Sequence, residues 1–217
     1  MLIFEFLMES IWLRFLEGMR YTTLLEYVAV FAGIASVWFS KKEHILVYPV
    51  GLVNTVIYVY ISVKAHLFGE ASVNIFYTVM SIYGWINWAR VNDQKEHVVH
   101  ITYSSKKDWL LQWLFFAFCF IVIYFALQYS KQNFAKEAIP LPDAFAAATA
   151  FTGMLLMTRK KVESWYWWIA TNIASIPLYF VKDLVFTSVY YLVLLILAFY
   201  GLKEWKQKAS QPNLSKL

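Results

Sequence analysis

Charge is scarce in this chain. Only 15% of its 217 residues are Asp, Glu, Lys or Arg, against 60% that are apolar, so a water-soluble fold would lack the polar surface to cover itself. Cysteine is nearly absent. Cys119 stands alone in an apolar run, which excludes a disulfide framework or a cysteine metal site within one chain. Enzyme signatures are missing too: there is no HExxH pair, no GxxxxGK[ST] loop and no G-x-S-x-G elbow, and His44, His66, His97 and His100 fall in or beside loops without ligand-like spacing. With no nucleophile–base pair and no nucleotide-binding domain, neither an intramembrane enzyme nor an ATP-driven pump is expected, and no cofactor. The N-terminus has no basic n-region and carries Glu5, Glu9 and Glu17, which argues against a cleaved signal peptide. The net charge of +5 sits in short clusters at the ends of apolar runs rather than on one face, so nucleic acid is not an expected partner.

What the chain has instead is apolar runs, each long enough as a helix to cross about 30 Å of hydrocarbon. They cover Thr22 to Phe39, Ile45 to Val63, Ala71 to Ala89, Trp109 to Tyr129, Leu141 to Met157, Trp165 to Val181, and Leu184 to Leu202. The expected fold is an all-α integral membrane protein of seven transmembrane helices, with the lipid bilayer as its main partner. Ahead of the first span, residues 1–21 place Glu5, Glu9, Ser10, Arg14, Glu17 and Arg20 within about half of a helical circumference, which reads as an interfacial amphipathic helix. Arg14, Arg20, Lys64, Lys131, Lys136 and Lys182 fall on one side of the membrane and the other 13 of the 19 basic residues on the opposite side. By the positive-inside rule the N-terminus is outside and the C-terminus cytoplasmic.

The chain also repeats itself at an offset of about 118 residues. Phe31 and Gly33 match Phe151 and Gly153, Lys41 and Glu43 match Lys161 and Glu163, and Asn54, Lys64 and Phe68 match Asn172, Lys182 and Phe186. Tyr83 to Trp88 (YGWINW) matches Tyr200 to Trp205 (YGLKEW). The division implied is an interfacial helix (1–21), a first three-helix bundle (22–90), a loop and linker helix (91–130), a second three-helix bundle (131–207) and a cytoplasmic tail (208–217). An odd number of spans per unit would invert the second copy. The extra helix restores its orientation and gives a 3+1+3 parallel pseudo-repeat, a transporter plan with the substrate site near mid-membrane between the halves.

The candidate site residues follow from helical angles. Trp165, Trp168, Asn172, Ser175 and Tyr179 share one stripe about 80° wide. Indole faces stack on flat cationic rings and an amide hydrogen-bonds a ribose hydroxyl or carboxamide. Trp165 also suits an aromatic belt at the cytoplasmic interface. Asn74, Tyr77, Ser81, Gly84, Trp85 and Trp88 share a face of the third span, and Asn54 with Tyr58 and Gly51 form a smaller stripe in the second. Each intramembrane Asn has a competing reading as a bond between helices, while Gly84 and Gly201 suit close helix contact. Asp143 attracts a cation or caps its helix, and Ala146, Ala147, Ala150 and Gly153 form a packing stripe. Pro49 and Pro177 are candidate kinks.

At these residues the chain resembles the PnuC family of bacterial nicotinamide riboside transporters, from about Tyr27 to Trp205. The likeness is carried by VNIFYTVMSIYGWINW, LPDAFAAATAF, RKKVESWYWWIATN and the closing YGLKEW. It implies a multi-pass protein of the bacterial cytoplasmic membrane with a SWEET-like 3+1+3 arrangement, commonly a homotrimer, working by facilitated diffusion and coupled functionally to a cytoplasmic kinase that phosphorylates and so retains the substrate. By position, Trp165, Trp168 and Asn172 match the substrate-contacting motif of the sixth helix, and Asn74, Tyr77 and Asp143 match polar positions of the third and fifth. Where many relatives have a threonine pair this chain has Ala146 and Ala147, and where a glutamine is common it has Met154. Related transporters of this fold move thiamine, so thiamine is the alternative cargo. A seven-helix membrane sensor is the alternative of another class.

Overall fold

A computed structural model describes residues 2–64, 68–133 and 138–211. His66, Lys136 and the end of the 208–217 tail lie outside them. Among the described residues there are eight helices: α1 (Leu2–Tyr21), α2 (Leu24–Lys41), α3 (Val47–Lys64), α4 (Phe68–Ala89), α5 (Lys106–Asn133), α6 (Pro140–Thr158), α7 (Ser164–Val181) and α8 (Val185–Ser210). Five of them, α2, α3, α5, α6 and α8, are long and apolar enough to cross a membrane. The other two in the main body, α4 and α7, have the length but are diluted by Trp, Tyr, Asn and Ser. They are the helices that carry most of the candidate site.

Helix α2 packs on α3 and α3 on α4, while α6 packs on α7 and α7 on α8. The two groups meet through α2 against α8 and α4 against α6, and α5 lies along α6. Helix α6 is the most enclosed of the candidate spans. Ala144, Ala146, Ala148, Ala150, Thr152 and Gly153 are buried along it, small residues that let neighbouring backbones approach. Helix α1 packs on α8, where Arg14 pairs with Asp183 at 2.8 Å and the rings of Phe15 and Phe186 lie 5.8 Å apart.

Helices α2, α6 and α7 end in the same way. Glu43, Lys160 and Asp183 each take a left-handed conformation, at φ 61°, 50° and 64°. The next residue reaches back to an earlier carbonyl, His44 to Phe39, Lys161 to Leu156 and Leu184 to Tyr179. This is the Schellman arrangement, made here without glycine. Pro177 lies inside α7. Pro49 falls instead in the first turn of α3, where its missing N–H costs no intrahelical bond.

The segment between α4 and α5 is tied to the α6–α7 loop. Thr102 donates to the Lys160 carbonyl at 3.2 Å and accepts from the Val162 amide at 3.1 Å. Glu163, 3% exposed, accepts from both the amide and the hydroxyl of Ser104.

Candidate functional site

At the basic end of the bundle the halves hold each other through four aromatic side chains. The Tyr48 ring, from α3, lies against Gly84 of α4 and edge-on to Trp88, with centroids 5.1 Å apart at 86°. The Trp165 ring, from α7, lies against Gly201 of α8 and edge-on to Trp205, at 5.6 Å and 87°. Any Cβ at either glycine would collide with the facing ring. The Trp88 indole donates across to the Met157 carbonyl at 3.2 Å, and the Trp205 indole donates across to the Ser40 carbonyl at 3.1 Å. Ser40 and Met157 are 117 residues apart and touch through Ser40 Oγ and Met157 Sδ. The same spacing separates Tyr48 from Trp165, Gly84 from Gly201 and Trp88 from Trp205.

Charges brace this clasp. Lys160 donates to Glu43 at 2.8 Å and Lys208 to the other oxygen of the same carboxylate at 2.9 Å. The Lys160 ammonium also lies 4.7 Å from the centre of the Trp88 ring. Burial pushes the Glu43 carboxyl up, but the bonds and charges of Lys160 and Lys208 outweigh it and hold the group below its ordinary 4.5.

One turn along α7 from the clasp the lining changes. The Trp168 ring lies 6.4 Å from Tyr77 of α4, and Tyr77 stands edge-on to Phe151 of α6 at 5.9 Å. Phe76 stacks on Phe151 at 4.0 Å. Asn172 follows Trp168 on the same face, is 3% exposed, and makes no hydrogen bond with any described residue. Trp167 turns the other way, donating to Gln112 of α5 at 3.0 Å.

The other predicted residues separate. Trp165, 1% exposed, is packed in the clasp and away from the lipid interface. Asn54 donates to the Ala29 carbonyl at 2.7 Å and shares the surroundings of Gly33 with the Tyr190 hydroxyl of α8. Asn74 donates to the Glu70 carbonyl one turn back. Tyr179 stacks on Tyr191 at 5.1 Å and 11°. Asp143 caps the start of α6 by accepting from the Ile139 amide and holds Lys182 at 2.6 Å. The structure therefore joins Tyr77 and Trp168 across the halves, with Asn54 and Tyr190 meeting across the same boundary at Gly33, and buries Asn172 one turn along α7 from Trp168. Tyr48 and Tyr190 were not singled out from the sequence. Tyr48 had a signal, since it stands 117 residues before Trp165, but a tyrosine opposite a tryptophan hides the match.

Residues 23–207 match the family model described as Nicotinamide mononucleotide transporter. The chain is 26% identical over 207 residues to the nicotinamide riboside transporter PnuC of Escherichia coli (strain K12), covering 86% of this chain and 87% of that protein. It is 25% identical over 179 residues to the protein of that name from Neisseria mucosa, with 79% and 68% covered. It is 23% identical over 153 residues to the riboflavin/roseoflavin transporter RibM of Streptomyces davaonensis, with 69% and 70% covered. The crystal structure of the vitamin B3 transporter PnuC has the same fold, with a TM-score of 0.66 at 21% identity over 94% of this chain and 89% of that one. The chain belongs to the nicotinamide mononucleotide transporter family, and it is a multi-pass membrane transporter rather than an enzyme.

Proposed function

We propose that this protein mediates facilitated diffusion of nicotinamide riboside into the cytoplasm. Asn172 carries the reading. A mid-helix carboxamide that is 3% exposed and makes no hydrogen bond with any described residue is costly to keep inside a membrane unless something else pairs with it. The carboxamide of the substrate offers both a donor and an acceptor. One turn along α7 from Asn172, the Trp168 ring meets the Tyr77 ring of the opposite half, so a small separation of the halves would admit a cationic pyridinium between them. The rings that Trp168 and Tyr77 touch are neutral, and Lys182 is committed to Asp143. That favours the riboside over its phosphorylated form, which would need cationic partners.

In this reading α2 to α8 are seven spans in a SWEET-like 3+1+3 parallel repeat, with the N-terminus outside and the basic end cytoplasmic. The contact of α2 with α8 and that of α4 with α6 exchange when the halves are exchanged, which supports a twofold axis along the membrane normal. The clasp then closes the cytoplasmic end, and rocking of one half on the other breaks its two indole bonds to release cargo. Homotrimeric assembly in the bacterial cytoplasmic membrane and retention of cargo by a cytoplasmic kinase complete the proposal by likeness to the family.

Thiamine is the second cargo, another flat cationic heterocycle, and the likeness to RibM adds riboflavin to the comparison. Calorimetric titration of the purified protein with nicotinamide riboside, nicotinamide mononucleotide, thiamine and riboflavin separates them. The proposal requires tightest binding of nicotinamide riboside and loss of that binding in Trp168→Ala. Tighter binding of any of the other three would overturn the assigned cargo.

A further inference from the structure

Away from the boundary between the halves, a groove runs between the start of α5 and the end of α6 at the basic end of the bundle. Its polar floor is internally satisfied. Gln112 accepts from Trp167 and donates to Ser104. Asp108 accepts from the amide and hydroxyl of Ser105 and faces Lys161 at 3.4 Å. Arg159, on the rim, differs from its neighbours. Lys160, Lys161, Lys41 and Lys42 each face a carboxylate, whereas the Arg159 guanidinium makes no hydrogen bond or ion pair with any described residue. Lys106 and Lys107 open α5 at the same end, so Asp108 and the buried Glu163 behind Ser104 are outnumbered by Lys106, Lys107, Arg159 and Lys161.

Below this cationic rim the groove is apolar and continues onto an uncovered face of α5. Leu111, Leu114 and Phe118, at helical spacing, are 58%, 58% and 64% exposed, a path along the hydrocarbon that starts where the charge ends. A cationic rim above a long apolar track fits an amphiphile with an anionic head. We propose that this groove binds an anionic phospholipid, its phosphate on Arg159 with Lys161 beside it and its acyl chains along Leu111, Leu114 and Phe118. The planar guanidinium can pair with two phosphate oxygens at once. The site is distinct from the boundary between the halves, so it does not take part in cargo recognition.

The test uses the full-length protein in detergent containing equal amounts of phosphatidylglycerol and phosphatidylcholine, with retained lipid read by native mass spectrometry. The wild type is expected to keep phosphatidylglycerol over phosphatidylcholine, and Arg159→Gln to reduce that retention about five-fold, the factor for one basic side chain at an anionic surface. Lys203→Gln, which removes a cation from another part of the basic end, should retain lipid as the wild type does. Melting of all three proteins in phosphatidylcholine alone shows whether the variants are folded. Equal phosphatidylglycerol retention by Arg159→Gln, equal retention of the two lipids by the wild type, or displacement of the lipid by inorganic phosphate would each overturn the proposal.

Discussion

Trp88 and Trp205 grip opposite halves of the molecule with the same bond. Each indole N–H reaches the carbonyl of a residue near the end of a helix, Met157 in α6 for Trp88 and Ser40 in α2 for Trp205. That carbonyl also accepts the backbone amide of the left-handed residue that ends the helix, Lys160 or Glu43. The two ring centroids are 6.0 Å apart. A side chain from one half therefore completes the helix end of the other, so separating the halves exposes both carbonyls at once.

The glycines beneath the clasp set its tightness. Gly201→Ala presses a methyl into the Trp165 indole and Gly84→Ala presses one into the Tyr48 ring. Each should cost about 1–3 kcal/mol of stability by overpacking, seen as a lower melting temperature in detergent. Gly51→Ala meets only the Ser36 side chain within 4 Å, whose hydroxyl can shift, and should cost less than either.

Asn54 and Asn172 should respond oppositely. Asn54→Leu forfeits its bond to the Ala29 carbonyl and should lower stability by about 1–3 kcal/mol. Asn172→Leu gives up no bond to a described residue and should leave stability unchanged or raised, while weakening nicotinamide riboside binding about ten-fold or more. Melting curves and titrations on the same samples check both halves of this contrast.

Acid should loosen the clasp through Glu43. The folded state holds this carboxyl below its ordinary 4.5, so its contribution is present above that value and is lost as pH falls through the lower folded value. Melting temperature should therefore drop on acidification below about pH 4.5. Glu43→Gln should flatten that part of the profile and start from a lower plateau.

The pair of Asp143 and Lys182, each about one-fifth exposed, lies between a surface and a buried salt bridge. A double-mutant cycle with Asp143→Asn and Lys182→Met should return a coupling of about 1–3 kcal/mol. Coupling near zero would leave Asp143 with only its bond to the Ile139 amide.

Much of the helical layout was legible because apolar runs and polar breaks mark it directly. The run Trp109 to Tyr129 falls within α5, and Leu141 to Met157 within α6. Helix α7 was readable as the carrier of Trp168 and Asn172 because 3.6-residue spacing puts them on one face. What escaped depends on contacts between distant segments. Trp165 shares their stripe, but Gly201 draws its ring into the clasp. Tyr190 reaches the boundary between the halves because Gly33 leaves room for its hydroxyl, and no local pattern around Tyr190 encodes a gap in α2. Glu43, Lys160 and Asp183 take a conformation usually given to glycine, so their helix ends carry no glycine to announce them.

Transport itself is tested most directly by flux. Sealed vesicles containing the purified protein should take up nicotinamide riboside saturably, to equilibrium and no further, at a rate unchanged when proton and sodium gradients are collapsed, and Trp168→Ala should abolish most of it. Dependence on an ion gradient would contradict facilitated diffusion. Binding without equilibration across the vesicle wall would contradict transport and describe a sensor.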